Sequence, residues 1–138
     1  MEHTEEPLSR QPESYGDQRR KRKPWSRREA LGHLIDWATA HDHWFARALA
    51  DPNLAVSGYP SDDWVTAQRY DRLPWAALPP LWCSMNRLIH VLAQIPEEKL
   101  KTPCRIGVAS PVPLGDLIAG YVDHCEDVVG QLLARRPG

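Results

Sequence analysis

The sequence predicts an all-α fold, a helical bundle around a single core, on three observations. Apolar residues recur at helical spacing in three long segments, at about 26–50, 75–95 and 114–135. No segment alternates convincingly between polar and apolar residues with period two, which is the pattern of a half-buried strand. At 138 residues and 42% hydrophobic, the chain is long enough for one domain and too short for two.

Residues 1–24 are predicted to be a disordered polar tail ahead of a helical domain at 25–138. Apart from Met1, Leu8 is the only large aliphatic residue in this tail, so it has little to bury against a core. The tail ends in the basic run RRKRK at 19–23. This run is either a patch for nucleic acid or an acidic partner, or, as we expect, a solvated flank before a helix.

The first long helix is predicted over about 26–50. Ser26 can cap the free backbone donors at its start, and Glu29, three residues later, can reach back to the cap. A second apolar stripe beside the first contains His33 and Trp37, so His33 is expected to face protein. The first stripe consists of Leu31, Ile35, Ala38, Phe45 and Leu49.

Further elements follow along the chain. A short helix is predicted from Ser61 to about Tyr70, because Ser61 can cap it and two acidic residues follow in the first turn. Another amphipathic helix covers about 75–95, with two prolines that are tolerated only in its first turn. Residues 96–113 are rich in proline and are predicted to be a loop, and the final helix covers about 114–135.

Composition and charge exclude several classes of protein. A net charge of −1 and a pI near 6.6 give no global reason to expect nucleic acid or anionic lipid as a partner. No apolar run approaches the ~20 residues that span a bilayer, and the first twenty residues lack a signal-peptide stretch, so we expect a cytoplasmic protein without membrane partners. Three cysteines without paired spacing are expected to be thiols: Cys83, Cys104 and Cys125.

The candidate functional residues are histidines on two different helices. In helical bundles, metal sites are built from inward-facing side chains of neighbouring helices, often with two ligands one turn apart on one of them. His33 and His124 each lie on or beside a buried stripe. One turn after His124 come Asp127 and Val128, of which only Asp127 can bind a cation.

Five segments, in this order, resemble the DinB-like superfamily, which includes YfiT-like metal-dependent hydrolases. They are WSRREALGHLID (25–36), FARA (45–48), YPSDDWVTAQRY (59–70), LPPLWCSMNRLIHVLAQIP (78–96) and PLGDLIAGYVDH (113–124). The resemblance implies a four-helix bundle, commonly a homodimer, in which three histidines hold a divalent metal such as nickel or zinc. It also implies hydrolysis or thiol transfer on a small molecule that the sequence does not identify.

Carried over residue by residue, the resemblance assigns metal ligands to His33 and His124. It assigns the third ligand to Val128, which cannot coordinate a metal. Asp127 stands where relatives often have an extra histidine, so His33, His124 and Asp127 form the candidate metal site. Against this set, moving a ligand from the position of Val128 to that of Asp127 turns its direction by about 100° on an ideal helix.

Two functions therefore stay open, and the catalytic residues are not identified. The first is a metal-dependent hydrolase or thiol-transferase-like enzyme with a degenerate metal site, in which Asp127, His41 or His43 completes the ligand set. The second is a metal-free helical bundle for binding or assembly, with His33 and His124 bonded to protein or water.

The family resemblance also predicts a difference at the start of the bundle. Relatives usually have a full amphipathic helix before Trp25, where this chain has its polar tail. The helix that relatives have before Trp25, the first long helix of the family's bundle, is therefore expected to be lacking or replaced in this chain. Three outcomes are open: an apolar groove remains, a partner chain fills the gap, or the helix at 61–70 covers more of the core.

Overall fold

Three long helices form the body of the fold, and two short helices pack on it. A computed structural model describes residues 5–19 and 25–134. The helices are α1 (Glu5–Ser9), α2 (Arg27–Ala50), α3 (Ser61–Gln68), α4 (Leu78–Leu92) and α5 (Leu114–Leu133). Four 3₁₀ turns connect them: Glu13–Asp17, Tyr70–Arg72, Trp75–Ala77 and Glu97–Lys101. The helix α2 is central, because α3, α4 and α5 all pack against it. The predicted helical bundle is confirmed.

The predicted capping box at the start of α2 is present. Glu29 donates its backbone N–H to Ser26 Oγ at 3.1 Å, and Ser26 donates its backbone N–H to Glu29 Oε1 at 3.1 Å. Farther along, α2 has the wide buried side that its two stripes predict. Gly32 is required on that side, because a Cβ there would lie 2.2 Å from the ring of Tyr70.

The start of α3 differs in one detail from the prediction. Pro60, not Ser61, occupies the N-cap position, and no side chain caps the helix. Asp62 and Asp63 lie in the first turn, as expected. Their carboxylates interact favourably there with the free N–H groups of the helix end.

A small sheet, which was not predicted, joins the loop after α2 to the segment before α5. It consists of β1 (Leu54–Val56), β2 (Pro103–Ile106) and β3 (Val112–Pro113) in that order. The β1–β2 pairing is parallel and aligns Leu54 with Cys104, whereas the β2–β3 pairing is antiparallel. Strands of two to four residues are too short to show a period-two pattern, which is why the sequence did not predict them.

The N-terminal segment differs from the predicted disordered tail over residues 5–19. Leu8 is fully buried where α1 packs against α4. Trp75 donates its indole N–H to the backbone carbonyl of Leu8 at 2.8 Å. The buried Leu8 side chain and this hydrogen bond both join α1 to the rest of the bundle.

A buried arginine holds the second part of this segment. Arg28 is 4% exposed and forms ion pairs with the carboxylates of Glu13 and Asp17. As expected, the described residues contain no long helix before α2. The short helix α1 and the 3₁₀ turn Glu13–Asp17 lie there instead. Residues 20–23 of the basic run lie outside the described part of the chain.

Two further predictions concern the cysteines and the membrane. All three cysteines are buried free thiols, as expected. Within residues 5–19 and 25–134, no helix combines the length and apolar character needed to cross a membrane.

Candidate metal centre

His33 of α2 and His124 of α5 meet across the interface of their helices. Their Nε2 atoms lie 2.8 Å apart, at hydrogen-bonding distance, and the ring planes are 84° apart. His33 is 5% exposed, whereas His124 is half-buried. The structure thus brings together the two histidines that the sequence analysis selected from different helices.

Tryptophan rings hold this pair of imidazoles in place. The Trp25 ring packs against His33 with a centroid distance of 4.8 Å. On the other side, the Trp37 ring lies 4.4 Å from the His124 ring and 6.0 Å from the His33 ring. Trp37 follows His33 by four residues, so the two side chains occupy one face of α2.

Burial favours the neutral form of both imidazoles. Burial and, to a smaller extent, the neighbouring His124 together lower the pKa of His33 to about 4. Burial also lowers the pKa of His124, although the carboxylate of Asp127 opposes this. Neutral imidazole is the form that binds metal ions.

The pair borders a pocket of about 310 Å³ between α2, α3 and α5. Its apolar lining is Trp25, Ala30, Val128 and Leu132, and its polar lining outside the histidine pair is Ser26, Arg27, Asp62, Asp127 and Gln131. Such a volume admits a small molecule, in the lower part of the usual size range of ligand pockets. The histidine pair is therefore placed where a small ligand can reach it.

Asp127, the predicted third ligand, lines the same pocket. Its side chain is exposed, and its Oδ2 accepts a hydrogen bond from Gln131 at 3.0 Å. Across the described residues, no three His, Cys, Asp or Glu side chains are grouped so that they could hold a metal ion. A role for Asp127 as ligand therefore remains a prediction.

Of the other residues considered for the third position, Val128 lines the pocket, whereas His41 and His43 do not. Val128 forms part of the apolar pocket wall. His41 is 2% exposed, and its Nδ1 lies 2.8 Å from the backbone carbonyl of Trp37. The Trp37 ring packs against both His41 and His124, with centroid distances of 4.2 and 4.4 Å. His43 is exposed and does not line the pocket.

Sequence reasoning missed Asp62 and Arg27 as pocket residues. In the sequence, Asp62 is one of the two acidic residues that follow Ser61, and Arg27 lies at the start of the predicted helix at 26–50. The acidic first turn was visible in the sequence, but no local pattern indicates that it faces α5. Arg27 donates to the carbonyl of Leu132 at the end of α5 and packs over the Tyr15 ring at 4.6 Å.

The donor atoms can be compared with what a divalent cation requires. Two nitrogen ligands of a tetrahedral ion lie about 3.3 Å apart, so the histidine pair would have to open by about 0.5 Å. His33 Nδ1 is buried and has no hydrogen-bond partner in the described residues, whereas metal-binding histidines usually donate from this nitrogen. Two neutral imidazoles beside carboxylates nonetheless fit a divalent cation in donor chemistry.

Comparison with known proteins agrees with this arrangement of helices. The sequence matches the DinB superfamily over residues 2–132. The chain belongs to the DinB superfamily. The match includes the N-terminal segment that packs on the bundle of this DinB-superfamily protein. A comparison with curated proteins gives no match.

The fold of this DinB-superfamily protein is similar to the solved structure of YfiT from Bacillus subtilis. The TM-score is 0.83 at 17% identity, covering 98% of this chain and 82% of that chain. YfiT is described as a probable metal-dependent hydrolase with an unusual four-helix bundle topology. At this identity, the similarity concerns the fold.

Proposed function

We propose that this DinB-superfamily protein binds a divalent metal, nickel or zinc, and acts on a small molecule as a metal-dependent hydrolase or thiol-transferase-like enzyme. His33 and His124 are the ligands, with Asp127 as the third. One observation carries the proposal: the Nε2 atoms of His33 and His124 converge to 2.8 Å beside a pocket of about 310 Å³.

The contrast with His41 supports a binding role for the pair. His41 is a buried histidine whose Nδ1 is at hydrogen-bonding distance from a backbone carbonyl of its own helix, as is usual for a core residue. His33 and His124 instead direct their Nε2 atoms at each other from different helices, next to a pocket. Two ligands of one cation in a helical bundle likewise converge from different helices, although their nitrogen atoms lie somewhat farther apart.

Residues around the pair of His33 and His124 have further roles in the proposed reaction. A bound divalent cation would supply Lewis acidity that lowers the pKa of water or of a thiol. Ala30, Val128 and Leu132 form an apolar wall of the pocket, and an apolar surrounding strengthens electrostatic interactions. Asp127, one turn from His124, acts either as a ligand or as the acceptor of the proton that the nucleophile loses.

The alternative is a metal-free helical bundle for binding or assembly. Val128 favours it, because an apolar side chain stands where the resemblance places the third histidine. The direct bond between His33 and His124 also favours it, since each imidazole then provides a partner for the other.

Assembly as a homodimer is part of this alternative, and it is also expected for the enzyme. The helix α4 exposes Leu81, Leu88 and Val91, at 46%, 53% and 70%. Their spacing of seven and three residues places them on one side of the helix. Light scattering during size-exclusion chromatography tests whether two chains associate.

Metal analysis of protein purified without a histidine tag tests the metal proposal. We expect about one nickel or zinc ion per chain in the wild type, and loss of the ion in His33→Ala and in His124→Ala. His43→Ala is the matched control, because His43 is exposed and lies away from the pocket. Wild-type protein that binds neither ion when both are supplied would contradict the enzyme proposal and support the metal-free bundle.

A further inference from the structure

We infer that Arg27 binds a carboxylate group of the small molecule that enters the pocket, and that it thereby selects for anionic substrates. The inference rests on the proposed function in taking this pocket as the site of the substrate, and it does not depend on the metal. It gives a role to a buried positive charge that the proposed reaction does not use.

The first observation is that Arg27 is a buried cation on the pocket lining without an ion pair. The residue is 6% exposed and lines the pocket beside Gln131 and Leu132. Within residues 5–19 and 25–134, its guanidinium forms no ion pair with a carboxylate. Burying a charge is costly unless an opposite charge compensates it, and an anionic ligand can provide that charge.

The neighbouring arginine shows how a buried guanidinium is compensated elsewhere in this protein. Arg28 is 4% exposed and pairs with the carboxylates of Glu13 and Asp17. Both partners come from the segment before α2, and neither of them pairs with Arg27. Of these two consecutive buried arginines, therefore, the one on the pocket is the one without a carboxylate partner in the described part of the chain.

The second observation is the unused edge of the Arg27 guanidinium. Its Nη1 donates to the Tyr15 hydroxyl at 3.1 Å and to the carbonyls of Leu132 and Gln131. Its Nε is buried and has no hydrogen-bond partner in the described residues, and its Nη2 has none there either. Nε and Nη2 form one edge of the planar group, and two parallel N–H bonds on such an edge match the two oxygens of a carboxylate.

The contacts of Nη1 hold the guanidinium in place at the end of α5. The two carbonyls that accept from it belong to Gln131 and Leu132, which line the pocket, and the cation packs over the Tyr15 ring at 4.6 Å. A guanidinium that is already oriented loses less conformational entropy when a ligand binds to its remaining edge. The carbonyls at a helix end carry only a partial negative charge, so they compensate the arginine only in part.

Charge favours a carboxylate over a phosphate as the bound group. Asp62 and Asp127 also line the pocket, and because both side chains are exposed, water screens their charges more than that of Arg27. They nevertheless repel a group with two negative charges more than a group with one. The apolar lining residues Val128 and Leu132 can pack against the hydrocarbon part of the molecule. The class of ligand is therefore a small apolar carboxylic acid.

The test is the binding of benzoate to the full-length protein, followed by two-dimensional NMR of the backbone amides that line the pocket. Benzamide, which has nearly the same shape without the charge, and phenyl phosphate, which carries a second charge, are the comparison ligands. We expect benzoate to bind at least about tenfold more tightly than benzamide, the effect of one hydrogen bond to a charged group. We also expect it to bind more tightly than phenyl phosphate.

Two substitutions assign the difference to Arg27. We expect Arg27→Gln to weaken the binding of benzoate at least about tenfold and to leave that of benzamide unchanged. Arg47→Gln is the matched control, because Arg47 is on the same helix, is exposed, and does not line the pocket. Its affinity for benzoate should equal that of the wild type. If the spectrum of Arg27→Gln is that of an unfolded chain, the comparison of benzoate with benzamide on the wild type decides the inference.

Each outcome decides the inference. Equal binding of benzoate and benzamide, or no binding of benzoate, would overturn it, and so would full benzoate affinity in Arg27→Gln. Tighter binding of phenyl phosphate would overturn the choice of a carboxylate.

His33→Ala separates the inference from the proposed function, because this variant is expected to lose the metal. Benzoate binding that persists in His33→Ala would support the role of Arg27 even if the wild type binds no metal ion. Loss of benzoate binding in His33→Ala, with full affinity in Arg27→Gln, would assign the carboxylate to the metal and overturn the role of Arg27.

Discussion

Tyr70 donates a hydrogen bond to Asp36 Oδ1 at 2.7 Å in the interior of the protein. Asp36 is fully buried, and its other oxygen, Oδ2, has no partner in the described residues. Burial raises the pKa of the Asp36 carboxyl, whereas the hydrogen bonds from Tyr70 and Gln68 oppose that rise. The bond joins the segment after α3 to α2, and so keeps one wall of the pocket in place.

Tyr70→Phe removes this donor and keeps the ring that packs on Gly32. We expect a loss of about 1–3 kcal/mol in the free energy of unfolding, because Asp36 then stays buried with one bond fewer. Urea denaturation at pH 7 measures the loss. In an Asp36→Asn background the same change should cost less, since a neutral acceptor forms a weaker bond than a charged one. Equal losses in the two backgrounds would mean that the charge of Asp36 does not strengthen the bond from Tyr70.

Stability should fall on acidification, in part because of His41. Burial lowers the pKa of His41 to about 4, below its ordinary value of 6.5. The folded state therefore binds a proton less readily than the unfolded state. The contribution of His41 to the free energy of unfolding is fully present above pH 6.5 and is lost as the pH falls toward 4. For a shift of this size the loss is roughly 3 kcal/mol.

His41→Gln cannot titrate in this range, so its stability should depend less on pH than that of the wild type. We expect the difference in unfolding free energy between wild type and His41→Gln to shrink steadily from pH 7 to pH 4. His43→Gln, an exposed change on the same helix, is the control and should keep the wild-type dependence. Parallel curves of unfolding free energy against pH for wild type and His41→Gln would contradict the lowered pKa of His41.

Leu8→Ala tests whether the N-terminal segment belongs to the folded core. Leu8 is fully buried, so the substitution should cost about 2–5 kcal/mol in unfolding free energy. Leu88→Ala makes the same chemical change at a residue that is 53% exposed, and should cost much less. Equal, small losses in the two variants would show that residues 5–19 add little to stability in solution.

Val128→His should strengthen metal binding. Val128 lines the pocket beside the histidine pair, and the new imidazole would add the donor that the family pattern places there. We expect the affinity for Zn²⁺ to rise at least about tenfold in a chelator competition. Ala119→His adds an exposed histidine to the same helix and is the control. A gain no larger than that of the control would show that position 128 is not directed at the cation.

Much of the fold could be predicted because it depends on neighbouring residues. The capping box of Ser26 and Glu29 joins residues three apart, and the stripes of the long helices repeat every three or four residues. The sheet could not be predicted, because its strands are too short to show a pattern and its β1–β2 pairing aligns Leu54 with the distant Cys104. For the same reason, the burial of Leu8 under Trp75 has no local signal.

Periodicity and motif order are properties of the chain, and they were sufficient to predict the helical bundle, the superfamily and the two histidines. The folded molecule was needed to see that His33 and His124 touch, that the Trp37 ring packs against both His124 and His41, and that Asp62 lines the same pocket. These relationships join α2, α3 and α5, whose residues lie far apart in the chain. The physical reason is that side-chain packing between helices sets which polar groups meet, and this packing depends on the whole core at once.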